Sequence, residues 1–106
     1  MKEEIQAHDD ILDLIGNTPL VRLRKVTEGL EGNFYAKVEA FNPGHSSKDR
    51  IALHMIEEAE RKGILKPGSI IVETTSGNTG FSIAMVSIIK GYECVLAVTS
   101  KSSKDK

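Results

Sequence analysis

The sequence predicts an α/β fold built on a parallel sheet, and three observations carry that prediction. The β-branched run Ile70-Ile71-Val72 within Ser69 to Thr74, and the apolar segment from Cys94 to Val98, both read as strands. Between them Phe81, Ala84, Met85, Ile88 and Ile89 read as a helix that Gly91 closes. Strand, helix and strand from Ser69 to Thr99 have the length of one βαβ unit, whose strands lie parallel and are joined by a right-handed crossover.

The remaining elements follow in chain order. Lys2 to Asp10 is a polar leader. Asp10 is placed to cap a short helix through Ile11, Leu12, Leu14 and Ile15, with Gly16 as its stop. Asn17-Thr18-Pro19 is turn chemistry, and Leu20 to Leu23 reads as a short strand. A loop from Thr27 to Asn33 leads into a second strand, Phe34 to Ala40. After the turn Phe41-Asn42-Pro43-Gly44, a helix starts at Ser46 or Ser47 as N-cap. Ile51, Met55, Ile56 and Ala59 form its expected buried stripe, and Gly63 and Pro67-Gly68 end it.

Composition narrows the function. The 106 residues make about one small domain, and 40% apolar with 27% charged residues describes a globular chain rather than a disordered one. Fourteen Lys and Arg against fifteen Asp and Glu leave a formal charge of −1, so no field of one sign gathers nucleic acid or an anionic membrane. Cys94 is the single cysteine, which excludes an internal disulfide and a multi-cysteine zinc site. The run from Phe81 to Ile89 is about half a membrane span, and no long apolar stretch follows the N-terminus. A reducing, cytoplasmic setting is the expectation.

Two loops carry chemistry. The first, Asn42-Pro43-Gly44-His45-Ser46-Ser47-Lys48-Asp49-Arg50, puts a lysine in the opening turn of a helix, where a cation is disfavoured. That effect, about 0.3–1 kcal/mol, is too weak by itself to neutralise an amine at pH 7. Burial or a covalent carbonyl partner has to do the rest; a plain surface lysine is the structural alternative. The second loop, Thr74-Thr75-Ser76-Gly77-Asn78-Thr79-Gly80, joins a strand to a helix. Its hydroxyls, amide and helix-start N–H groups suit a carboxylate or phosphate, against the alternative of an ordinary capped turn. Neither nucleotide fingerprint, Gly-x-x-x-x-Gly-Lys-Ser/Thr or Gly-x-Gly-x-x-Gly, is present.

Together with Ile15-Gly16-Asn17-Thr18-Pro19-Leu20-Val21, these loops closely resemble the cysteine synthase and cystathionine β-synthase family. These are pyridoxal-phosphate enzymes of the tryptophan-synthase-β fold, an open three-layer parallel-sheet fold also called fold type II. The resemblance runs from about Asp10 to the last residue. It implies pyridoxal 5'-phosphate as cofactor, with Lys48 holding it as a Schiff base and then moving the substrate α-proton. It implies that Asn78 bonds the oxygen on the cofactor ring, and that Thr75, Ser76, Gly77, Asn78 and Thr79 seat the substrate carboxylate. The implied reaction replaces the β-substituent of serine or O-acetylserine with sulfide or another thiol, giving cysteine or cystathionine. An amino acid and a thiol are then the partners, with neither nucleic acid nor membrane, and full-length relatives are expected to be homodimers.

The pattern departs from the family at His45, where a second glycine is usual, at Ser47, where Val or Ile is usual, and at Thr74, where proline is common. The segment Lys101 to Lys106 reads as the first turn of an unfinished helix, so the chain is expected to be one incomplete unit. On that expectation, residues 1–40 are a leader and two strands of the family's larger domain, and 41–106 begin its smaller one. The glycine-rich loop that grips the cofactor phosphate is absent, which predicts an inactive isolated chain. A non-catalytic α/β binding module is the rival reading, and a flavodoxin-like domain a more distant one. Among the residues left over, Cys94 is expected as a buried structural thiol, Met55 and Met85 as core, and His54 as solvated. Glu57, Glu58 and Glu60 are expected on a solvated face with one weak Glu58–Lys62 pair.

Overall fold

In the computed structural model, which describes residues 4–74 and 77–98, the βαβ unit forms as its spacing predicts. The strands are β1 Leu20–Arg22, β2 Tyr35–Lys37, β3 Ile70–Thr74 and β4 Glu93–Ala97; the helices are α1 Lys48–Arg61 and α2 Asn78–Lys90. β3 and β4 pair in parallel, Ile70 opposite Glu93 and Thr74 opposite Ala97, with α2 as the connection. β1 and β2 form a separate antiparallel pair, Leu20 opposite Lys37. Both are shorter than the expected Leu20–Leu23 and Phe34–Ala40 strands, because the chain turns into 3₁₀ geometry at Lys25–Thr27 and at Glu39–Phe41.

Local chemistry explains most element ends. Asp10 accepts from the Leu12 N–H at 2.7 Å and starts a 3₁₀ turn, Ile11–Leu14, where a short helix was expected. Gly16 then breaks it at φ +85°. α1 starts without a side-chain cap from Ser47; the Ser46 hydroxyl takes the Lys48 N–H instead, at 3.2 Å. Gly91, at φ +84°, ends α2 by the left-handed turn that glycine adopts without steric cost.

The apolar core consists of Ala52 and Ile56 from α1 and Ile83 and Val86 from α2, with Ile71 and Cys94 of the sheet packed against it. The α1 stripe differs from expectation. Ile51 and Met55 stay 43% and 50% exposed, while Asp49, Ala52 and Ile56 are buried. In α2, Phe81 and Ile88 are likewise exposed and Ser82 and Ser87 are buried. The reason is the helix–helix contact. α1 packs directly on α2, and close approach of two helices selects small residues where bulk alone would have selected Ile and Phe. Cys94 is half-buried, and Met85 contacts the core.

Polar bonds pin the two helices together at both ends. The Ser82 hydroxyl donates to Asp49 Oδ1 at 2.6 Å near the helix starts. At the other end Glu60 accepts from Lys90 Nζ at 2.8 Å and from the Tyr92 hydroxyl at 2.6 Å. Glu60 is therefore a cross-helix anchor rather than part of a solvated face. Glu58 pairs with Arg61 more closely than with Lys62, which lies 4.0 Å away.

Candidate active site

The loop before α1 is shaped by three side chains of its own neighbourhood. The His45 N–H closes a turn onto the Asn42 carbonyl at 2.8 Å, with Pro43 and Gly44 at its centre. Asn42, 1% exposed, donates from its amide nitrogen to the Ser46 carbonyl at 2.9 Å and to the Glu39 carbonyl at 3.1 Å. Its amide oxygen accepts from the Gly16 N–H at 2.8 Å. One buried amide thus joins the Gly16–Leu20 turn to the lysine loop, two motifs 26 positions apart.

Arg50 completes that junction. It donates to the Glu39 carboxylate at 2.5 Å and to the Gly16 carbonyl at 2.9 Å, while the Thr18 hydroxyl donates to Glu39 at 2.5 Å. The Arg50 guanidinium first, and then the Thr18 hydroxyl, hold the Glu39 carboxyl at about 2, well below the usual carboxylate range. The arginine is held correspondingly more firmly in its charged form by Glu39.

Asp49 fixes the position of Gly44. The Gly44 N–H donates to Asp49 Oδ2 at 2.5 Å, and a Cβ at position 44 would collide with that carboxylate. Glycine is required there on space alone. His45 is the reverse case. It is the non-glycine residue with positive φ among the described residues, at +66°, and its side chain is exposed.

Between the two loops lies a cleft of about 330 Å³ lined by Gly44, His45, Gly77, Asn78 and Phe81. The residues expected for the site therefore meet only in part. Gly77 and Asn78 share a wall with the lysine loop, and Thr79 follows them, half-buried, in the first turn of α2. Thr75 and Ser76 lie outside the described residues. Lys48 begins α1, half-buried; it is not one of those cleft-wall residues, and its amine has no hydrogen-bond or ion-pair partner among the described residues. No group of His, Cys, Asp and Glu suited to a metal ion occurs among those residues, and no described helix is long and apolar enough to cross a membrane.

Sequence reasoning assigned no role to Glu39, Asn42, Asp49, Phe81 or Ser82. For Ser82 a signal existed: a hydroxyl inside the otherwise apolar run of α2 needs a buried partner. For Asp49 and Glu39 none did: Ser82 lies 33 positions from Asp49, and Arg50 lies 11 from Glu39.

Comparisons with known proteins converge on one family. The pattern of the family described as pyridoxal-phosphate dependent enzyme matches residues 11–106. Cystathionine beta-synthase of Mus musculus is 52% identical over 99 residues, covering 92% of this chain and 18% of that protein. A hydrogen sulfide-producing enzyme from Fusobacterium nucleatum superposes with a TM-score of 0.87 at 42% identity, over 94% of this chain and 33% of the other. The O-acetylserine dependent cystathionine beta-synthase from Helicobacter pylori does so at 0.81 and 32%, over 95% and 34%. The chain thus spans under a fifth of the length of the mouse relative and about a third of each of these two structures. Fold, motif order and relatives agree, and the chain belongs to the family of pyridoxal-phosphate dependent enzymes of the cystathionine β-synthase and cysteine synthase type.

Proposed function

We propose that the protein of which this chain forms the matched part exchanges the β-substituent of serine or O-acetylserine for sulfide or a thiol. The observation that carries the reading is the common cleft: Gly44 and His45 of the lysine loop face Gly77 and Asn78 of the following loop across it. The donor set fits pyridoxal phosphate. Lys48 contributes an amine uncommitted to any described partner, and Asn78 an amide on the cleft wall. When bound, the cofactor supplies an electron sink for charge developing at the substrate α-carbon.

The remaining work falls to the chain's own residues. Lys48 Nζ would hold the cofactor through its aldehyde carbon, and the same amine would serve as the base that takes the substrate α-proton. Asn78 orients the ring through its amide. Thr75, Ser76, Gly77 and Thr79, with Asn78, are the proposed seat of the substrate carboxylate, which fixes the α-carbon relative to the lysine. Residues 1–40 and 41–106 are read as pieces of two neighbouring domains of the whole enzyme, in keeping with the two separate sheets. The soluble amino-acid and thiol substrates fit a cytoplasmic setting.

A second reading, a non-catalytic binding module, draws on the small core. Among the described residues four apolar side chains are buried, and the radius of gyration is 18.0 Å against about 13 Å for a compact domain of this size. Borohydride reduction of the whole protein in the presence of pyridoxal phosphate, followed by peptide mass mapping, separates the two. Label concentrated on Lys48 supports the catalytic reading. Label spread evenly over the surface lysines, with Lys48 no higher than Lys66, defeats it.

A further inference from the structure

We propose that Asp49 and Ser82 are positioning residues, a latch that sets the spacing between the lysine loop and the Asn78 loop; the role rests on the catalytic reading above. Both side chains are 0% exposed, and each carboxylate oxygen has its own donor. Oδ2 takes the Gly44 N–H at 2.5 Å and Oδ1 takes the Ser82 hydroxyl at 2.6 Å. Asp49 directly follows Lys48 in the first turn of α1. Ser82 is one helical turn beyond Asn78 and directly follows Phe81 of the cleft wall. The carboxylate therefore touches one cleft wall through Gly44 and, through Ser82, the helix that carries the other.

Three features make this a position-setting contact. The Gly44 Cα approaches the carboxylate so closely that no Cβ fits, so the loop cannot slide over Asp49 without losing the bond. Ser82 is buried on an apolar helix, where its hydroxyl has no reason to be unless it is satisfied, and Asp49 satisfies it. The pair also lies at the cleft end of the helix contact, while the Glu60–Lys90–Tyr92 anchor holds the opposite end. With both ends fixed, the separation of the loops is a property of the helix pair, as a reaction sensitive to about 1 Å of misplacement requires.

The test uses Ser82→Ala and Asp49→Asn in the whole protein of which this chain forms part, with helix content checked by circular dichroism. Two readouts are taken. The first, free of cofactor, follows the amide resonances of Gly44 and His45. Ser82→Ala is expected to move both although the substitution lies on α2, while Asp49→Asn, which keeps a partner for each group, moves them less. The second is borohydride-trapped pyridoxal phosphate on Lys48, measured against Lys66 in the same digest. Ser82→Ala is expected to lower that ratio about tenfold, the equivalent of one hydrogen bond at ~1.4 kcal/mol. Asp49→Asn, whose amide can accept from Gly44 and donate to Ser82, is expected to keep most of it. Unmoved Gly44 and His45 resonances in a folded Ser82→Ala chain would overturn the latch. So would an unchanged Lys48 ratio. Failure of the catalytic reading itself shows separately, as an even label over Lys48 and Lys66 in the unsubstituted whole protein, and the latch is then decided by the resonances.

Discussion

The half of the chain before α1 and the helix pair after it are held by different balances of polar bonding and apolar burial. From Asp9 to Asn42 the described buried residues are Thr18 and Asn42, both polar, and neither strand of the β1–β2 pair buries an apolar side chain. That region is tied down mainly by the Asn42 amide and by the Glu39–Arg50–Thr18 cluster, with only Leu12 and Ile15 among its described residues resting half-buried on the apolar core. The α1–α2–β3–β4 region has the hydrocarbon: Ala52, Ile56, Ile83 and Val86 with Ile71 and Cys94 against them. Polar ties are directional, and one that rests on a carboxylate such as Glu39 titrates, whereas apolar burial is neither directional nor tied to a proton. The first region therefore gives exact placement of a turn and sensitivity to conditions. The second gives a platform on which the two functional loops can be held apart at a set distance.

That contrast can be attacked at three points. Ile56→Ala, emptying a site 4% exposed in the small core, is expected to show the largest effect, a loss of about 2–5 kcal/mol by denaturant titration. The loss should spread through α1, α2 and the parallel strands together. Asn42→Ala is expected next. It leaves the Gly16 N–H and the Ser46 carbonyl without their partner and costs about 1–3 kcal/mol. Here amide exchange should speed up from Gly16 through Lys37 while the helices keep their protection. Loss of protection in α2 as well would show that the two regions do not differ as described.

Acid makes the third and mildest probe. The folded Glu39 carboxyl is depressed from 4.5 to about 2, so its contribution is complete above the unfolded value and is lost as pH falls through the folded one. Protection around Thr18 and Lys37 is expected to fall over that window, while the core resonances hold. Glu39→Gln should flatten the dependence. A profile unchanged by this substitution would remove Arg50 and Glu39 from the account of how the first region is held.

Much of this was legible beforehand in particular residues. The alternation of β-branched strand, glycine-bearing loop and apolar helix announced the parallel unit, and Asp10, Gly16, Gly63 and Gly91 marked element ends by local chemistry. The lysine and Asn78 loops were readable as motifs because their residue types and spacing are local properties. The buried face of α1 was not. Ile51 and Met55 are as hydrophobic as Ile56, and nothing local says that α2 will approach where Ala52 makes room. Glu60 read as solvated for the same reason, since Lys90 and Tyr92 reach it from 30 and 32 positions away.

The order of residues along the chain was enough to settle the fold class, the turns and the chemistry on offer, because backbone preference and hydrophobic period act over a few positions. Which groups meet was left to three-dimensional packing: Asp49 with Ser82, Arg50 with Glu39, and Gly44 with Asn78 across one cleft. Those meetings depend on how two helices seat against each other. That seating minimises exposed apolar area and unpaired polar atoms over the molecule as a whole, so no short stretch of chain encodes it alone.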